Sequence, residues 1–139
     1  MDDPQTATSI FAKIGGAPTV ERLVDSFYQN MDSMAPAQKI RAMHGADLAP
    51  TRAILKLYLI EWLGGPKNYS EKRGHPRLRM RHAHFPIGAT ERDAWLLCMN
   101  AALDESVEDV AVREQLKAQL AKLADWMRND PGNAHDAGH

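Results

Sequence analysis

Apolar residues recur every three or four positions along most of this chain, which is the spacing of helices that bury one face. A clear example is the stripe formed by Val20, Leu23, Val24, Phe27 and Met31. No stretch shows the sustained alternation of apolar and polar residues that is typical of a half-buried strand. The pattern therefore predicts an all-α fold.

Six segments have this helical spacing or a helix-starting pattern. In order, they cover about residues 9–14, 18–31, 37–43, 50–63, 90–103 and 106–127. Gly15-Gly16 and Gly64-Gly65-Pro66 end two of them. Thr90 and Ser106 each begin a capping-box pattern, with an acidic residue three positions later, so we expect a helix to start at each.

The segment from Gly64 to Gly88 is a long connection with four glycines and three prolines. A connection of this length in a small domain is usually functional or disordered, and its aromatic and apolar residues argue against disorder. We expect no regular element there except a candidate short helix at 78–84. Residues 129–139 are polar and Gly-rich, so the sequence predicts a domain over 1–128 and a flexible tail over 129–139.

Composition excludes several classes of protein. The chain has 139 residues with a formal net charge of -1, which excludes a globally basic nucleic-acid binder. A single cysteine, Cys98, excludes an intramolecular disulfide framework and a multi-cysteine zinc site. The longest apolar run, Ala94 to Met99, is far too short to span a bilayer. Because the N-terminus also has no apolar signal region, we expect a cytoplasmic protein without a membrane span.

The candidate functional residues of the long connection are its basic residues and histidines. Six Lys/Arg and one acid lie between Lys67 and Arg81. They fit a solvated loop, a site for an anionic ligand held by arginines, or, less well, a nucleic-acid contact. His82 and His84 follow, but a zinc site would need further ligands that the sequence does not supply nearby.

An ordered series of motifs makes the chain similar to a known family. The motifs are Trp62-Leu-Gly-Gly-Pro66, then Tyr69, then the string GHPRLRMRHAHFPIG over residues 74–88, and finally ERDAWLLCM over residues 91–99. Together they resemble the truncated haemoglobins of group II, and the resemblance covers roughly residues 10–124. It implies the two-over-two helical sandwich of that family, with haem b as the cofactor.

The resemblance also implies which residues hold the cofactor. His82 matches the proximal histidine, whose imidazole binds the iron and leaves the opposite position open. Arg81 and Tyr69 match the anchor of the haem propionates. The resemblance places four further side chains around the porphyrin, together with Phe27: Leu55, Tyr58, Phe85 and Met99. Ile54 and His84 depart from the family pattern, and we do not expect His84 to be an iron ligand.

On the opposite face of the haem, the resemblance implies a polar pocket for a small ligand. Tyr28 and Trp95 match the two hydrogen-bond donors of the family. His44 matches a third position, with Met43 as its competitor because the register there is uncertain by one residue. Thr51 is a small residue that would leave a side entry open. Each hydrogen bond to a ligand with partial negative charge contributes on the order of 1.5–3 kcal/mol.

The implied function is reversible binding of dioxygen and other diatomic ligands. The same pocket suits a carrier or sensor, or a redox catalyst that acts on nitric oxide or peroxide with an unidentified reductase, because the chain has no flavin or nicotinamide motif. The residues alone leave one alternative open. In that alternative, the chain is a helical binding module without haem, and its basic loop docks an anionic ligand or partner.

Overall fold

The computed structural model describes residues 9–74 and 87–128, and every regular element within these ranges is helical, as the periodicity predicts. The helices are α1 (Ile10–Lys13), α2 (Ala17–Ser33), a 3-10 turn (Ala35–Ala37), α3 (Gln38–Ala42), α4 (Ala49–Trp62), α5 (Asn68–Arg73), α6 (Ala89–Ser106) and α7 (Val110–Trp126). The candidate helix at 78–84 and the predicted tail lie outside the described residues. Within the described ranges, no helix has the length and apolarity needed to cross a membrane.

Helix α2 is the centre of the packing. It contacts α4 on one side and α6 on another, and α6 also packs against α7. The predicted stripe of α2 is buried: none of its five residues is more than 2% exposed. Burial of each large apolar side chain contributes roughly 1.5–3 kcal/mol, so this face supplies much of the folding free energy.

The end of α4 is fastened to the N-terminal turn. The Phe11 N–H donates to the Leu63 carbonyl over 2.9 Å, and the Gly65 N–H donates to the Ile60 carbonyl over 2.8 Å. Gly64 has a φ of 100°, which glycine adopts without strain. The pair Gly64-Gly65 therefore ends the helix as predicted, and it also lets α1 approach closely.

Both predicted helix starts near Thr90 and Ser106 are wrong by one to four residues. Helix α6 begins at Ala89, and the Glu91 carboxylate accepts the Gly88 N–H over 2.8 Å. Helix α7 has Asp109 as its N-cap, which accepts the Val112 N–H over 3.1 Å. Ser106 instead ends α6, because it and Val107 are buried and stay with the core.

The connection after Gly64 is also more regular than predicted. Helix α5 occupies Asn68–Arg73 and packs against α4. Its six residues are too few for a periodic stripe, so the glycines and prolines around it dominate the sequence pattern. The helix places Tyr69 in the interior, where it is 2% exposed.

We expect Gly65→Ala to lower the free energy of unfolding by about 1–3 kcal/mol, measured by urea denaturation. A Cβ there would lie 2.9 Å from the Ile60 carbonyl oxygen and 3.0 Å from the Phe11 ring. The matched control is Gly45→Ala, whose Cβ meets nothing within 4 Å and which should be neutral or slightly stabilising. Equal stability of the two variants would contradict this account of the junction.

Candidate functional site

A cavity of about 440 Å³ lies between α2, α4, α6 and α7 and beside the turn after α3. Its volume is in the range of about 300–1,000 Å³ that is typical of small-molecule and cofactor sites. Apolar and aromatic side chains form most of its wall, with a few polar groups between them. This is the composition expected for a site that takes a large apolar ligand and orients it with a few polar contacts.

Four rings that follow one another along one wall form what we call the aromatic arc: Trp95, Phe27, Tyr28 and His44. The ring centroids of Trp95 and Phe27 lie 5.3 Å apart, and those of Phe27 and Tyr28 lie 4.9 Å apart. The Tyr28 and His44 centroids are 6.0 Å apart. All three contacts are edge-to-face, a preferred geometry of aromatic pairs, so each ring restricts the orientation of the next.

Tyr28 and Trp95 each present a donor that makes no hydrogen bond to any residue that the structure describes. Tyr28 is only 4% exposed. Both side chains line the cavity, so a ligand there could accept a hydrogen bond from each of them. Burial raises the pKa of Tyr28 well above its ordinary range, and the nearby Arg52 only partly offsets this, so the phenol keeps its proton.

The hydrogen bond of His44 determines which ring nitrogen carries the proton. Nδ1 lies 2.8 Å from the Ile40 carbonyl oxygen, which can only accept. Nδ1 is therefore protonated, and Nε2 of the neutral ring is an acceptor. His44 can therefore be the expected third donor to a ligand only as an imidazolium, because Nε2 of the neutral ring carries no proton.

On the other side of the cavity, α4 and α5 contribute a pair of tyrosines. The ring centroids of Tyr58 and Tyr69 lie 5.7 Å apart in an edge-to-face contact. Burial raises the pKa of Tyr58, and the neighbouring Tyr69 and Glu61 raise it further. Both phenols line the cavity, so this wall also combines ring surface with hydroxyl groups.

Glu61 holds α5, and with it Tyr69, against the end of α4. Its Oε1 accepts the Ser70 N–H over 2.9 Å, and its Oε2 accepts the Ser70 hydroxyl. These bonds lower the pKa of Glu61 below the ordinary value of 4.5. The sequence pattern contained no signal for this contact, because Glu61 appears there as one more polar position near the end of a helix.

The structure brings most of the described site candidates to this one cavity. The lining includes Tyr28, His44, Thr51, Leu55, Tyr58, Tyr69 and Trp95. Met43 also lines it, so both alternatives of the uncertain register face the cavity. Met99 does not: it is fully buried in the core formed by α2, α6 and α7, and it is not part of the lining. His82, Arg81 and Phe85 lie outside the described residues.

Several lining residues were not predicted from the sequence. Glu91 enters from the first turn of α6, and Leu123, Ala124 and Met127 enter from the end of α7 and the residue after it. Periodicity identifies a buried face, and it does not distinguish a core contact from a cavity wall.

Removal of the Glu61 carboxylate should loosen α5. We expect Glu61→Ala to speed amide hydrogen exchange over residues 68–73 several-fold near neutral pH, with no change in α7. Because the pKa of Glu61 is lowered in the folded chain, its contribution is fully present above pH 4.5 and is lost as the pH falls through the lower folded value. The difference between the chain and the variant should therefore shrink in acid.

The control for this experiment is Glu71→Ala, which removes an exposed carboxylate from the same short helix. Unlike Glu61, the Glu71 side chain makes no hydrogen bond within the part of the chain that the structure describes. Equal exchange in both variants would show that charge alone, and not the Glu61–Ser70 contact, orders this helix.

Comparison with known proteins adds independent information. The family model for bacterial-like globins matches residues 9–129. A group 2 truncated haemoglobin of Bacillus subtilis, YjbI, is 38% identical over 114 residues, which cover 82% of this chain and 84% of that protein.

Two solved structures are similar throughout. The group II 2-on-2 haemoglobin of Agrobacterium tumefaciens has a TM-score of 0.87 and 43% identity, and the match covers 94% of this chain and 99% of that one. The cold-adapted truncated haemoglobin of Pseudoalteromonas haloplanktis TAC125 has a TM-score of 0.86 and 35% identity, and the match covers 88% of this chain and 99% of that one. The helices described above therefore have the arrangement of 2-on-2 haemoglobins.

Proposed function

The chain belongs to the bacterial-like globins, as a group II truncated haemoglobin, and on this premise we propose that its cavity holds haem b and that the protein reversibly binds dioxygen and similar diatomic ligands. The observation that carries the proposal is a pair of donors, Tyr28 and Trp95, that make no hydrogen bond to the described residues and lie on one wall of a mostly apolar cavity. The apolar lining can pack against a flat apolar cofactor, and the two donors can form hydrogen bonds to a small polar ligand.

The residues that line the cavity fit a porphyrin. Leu55 and Tyr58 from α4 and Phe27 from α2 provide apolar and ring surface. Tyr69, held in place by the Glu61–Ser70 contact, is the described residue that we assign to a propionate, and Arg81 joins it as a charge-assisted donor. On the family motif, we assign Phe85, which is outside the described residues, as a further ring for the cofactor.

We assign His82 as the protein ligand of the iron, on the motif that it shares with the family. Haem bound in the cavity would supply an iron that takes a diatomic ligand. The chain's own contribution around that ligand is a set of fixed groups. Thr51 leaves room for entry, and Leu55 narrows the space beside it.

Tyr28 and Trp95 act on the ligand by donating hydrogen bonds from fixed positions. Their rings are held by Phe27, so little orientational freedom is lost when a ligand binds. Two donors worth about 1.5–3 kcal/mol each slow ligand escape by roughly a hundredfold or more. Slow release suits redox chemistry on nitric oxide or peroxide, with electrons from a separate reductase, better than it suits rapid delivery.

The visible spectrum of the purified chain tests the proposal. We expect a Soret band that is lost in His82→Ala and kept in His84→Ala, a matched histidine two residues further along the same segment. A colourless protein would favour the helical binding module without haem. An unchanged spectrum and haem affinity in His82→Ala would instead contradict the assignment of the iron ligand.

Oxygen dissociation from the ferrous protein tests the two donors. Tyr28→Phe and Trp95→Phe should each speed dissociation by about 10- to 100-fold, because each removes one hydrogen bond to the ligand. The double variant should be non-additive if both donors share one ligand atom. Trp126→Phe, which changes a half-exposed ring outside the cavity, is the control. Unchanged rates in both single variants would show that these side chains point elsewhere.

A further inference from the structure

An ion pair between α3 and α6 joins the two ends of the aromatic arc. Lys39 Nζ lies 2.8 Å from Glu91 Oε2. The pair is asymmetric: Lys39 is 63% exposed at the surface, whereas Glu91 is 5% exposed and lines the cavity. A buried carboxylate needs such a partner, because an uncompensated charge away from water is costly.

Each partner lies on the segment that positions one end of the arc. Lys39 precedes Ile40, whose carbonyl accepts the His44 Nδ1–H over 2.8 Å. Glu91 is one helical turn before Trp95 on α6, so the two side chains lie on neighbouring parts of the same face. The ion pair therefore connects the backbone that holds His44 to the helix that carries Trp95.

The arc and the ion pair together make a closed structure. Along the inner side, Phe27 and Tyr28 contact Trp95 and His44 ring by ring. Along the outer side, the connection runs through Lys39 and Glu91. A change in the separation of α3 and α6 would disturb both the ion pair and the ring contacts. The two sets of contacts therefore restrict the same distance, the one between α3 and α6.

The Glu91 carboxylate has little freedom to move. Its Oε1 accepts the Gly88 N–H over 2.8 Å, so rotation away from Lys39 would disrupt the first turn of α6. Burial by itself would raise the pKa of Glu91, but the hydrogen bonds from Lys39 and Gly88 outweigh it and lower the pKa. The Glu91 carboxylate therefore stays ionised at neutral pH and continues to attract the Lys39 ammonium group.

We propose that Lys39 and Glu91 are positioning residues that set the spacing of His44 and Trp95 across the cavity, and so determine how strongly the pocket polarises a bound ligand. This inference rests on the proposed function. It does not make Lys39 a direct contact of the ligand, because Lys39 lies outside the cavity lining. The inference gives a role to Lys39 and Glu91, which the proposed haem site does not otherwise use.

The test compares Lys39→Met with the parent holoprotein in two measurements. These are the C–O stretching frequency of the ferrous carbon monoxide complex and the rate of oxygen dissociation. Hydrogen-bond donors near the ligand lower the C–O stretching frequency, so the variant should show a higher frequency and about 3- to 10-fold faster oxygen release. Glu91→Gln, which keeps an oxygen for the Gly88 N–H, should shift both measurements in the same direction. The control is Lys117→Met, which removes a cation from the Lys117–Asp104 pair between α7 and α6, away from the cavity.

A coupled variant separates positioning from general destabilisation. In a His44→Ala/Trp95→Phe background, Lys39→Met should add less than about twofold to the oxygen dissociation rate, because the His44 ring that packs against Tyr28 and the Trp95 donor are both gone. A full additive effect there, or a parent-like C–O frequency in Lys39→Met alone, would overturn the inference and leave the proposed function intact. A parent protein without a Soret band would overturn the proposed function, and the inference with it.

Discussion

The structure depends on the burial of α2 between α4 and α6. The apolar stripe of this helix supplies the centre of the core, where its five residues are almost completely inaccessible to water. Phe27, one of these five residues, and its neighbour Tyr28 also line the cavity, and their rings form the middle of the aromatic arc. Core and cavity therefore share one wall, and a shift of α2 would change both.

A cavity of this size forfeits packing energy, since its lining atoms lack contacts on one side. Charged groups at its margins help to define its shape. Glu61 fastens the short helix that carries Tyr69, and Glu91 links the first turn of α6 to Lys39. In each case a carboxylate accepts a backbone N–H with one oxygen and binds a side chain with the other. Both interactions hold the elements that surround the cavity and leave its interior apolar.

The sequence predicted the main helices well because their signals are local. The α2 stripe and the glycine pair after α4 were confirmed. The start of α6 was predicted wrongly because its N-cap is Gly88, whose N–H the Glu91 carboxylate accepts. The start of α7 was predicted wrongly because Asp109 competes with Ser106 as the N-cap, and the burial of Ser106 and Val107 in the core decides between them. Helix α5 was missed because six residues are too short to show a period, and it forms against α4 through Glu61.

By itself, the sequence determined the all-helical class and the family, because helical periodicity and ordered motifs can be read from neighbouring residues. It also singled out Tyr28, Trp95 and His44 as the side chains of one wall. Only the tertiary structure decided which ring nitrogen of His44 donates to the Ile40 carbonyl, that Met99 belongs to the core, and that Glu61 and Glu91 fix the segments around the cavity. The physical reason is that burial and hydrogen-bond partners depend on residues far away in the chain, which come together only when the helices pack.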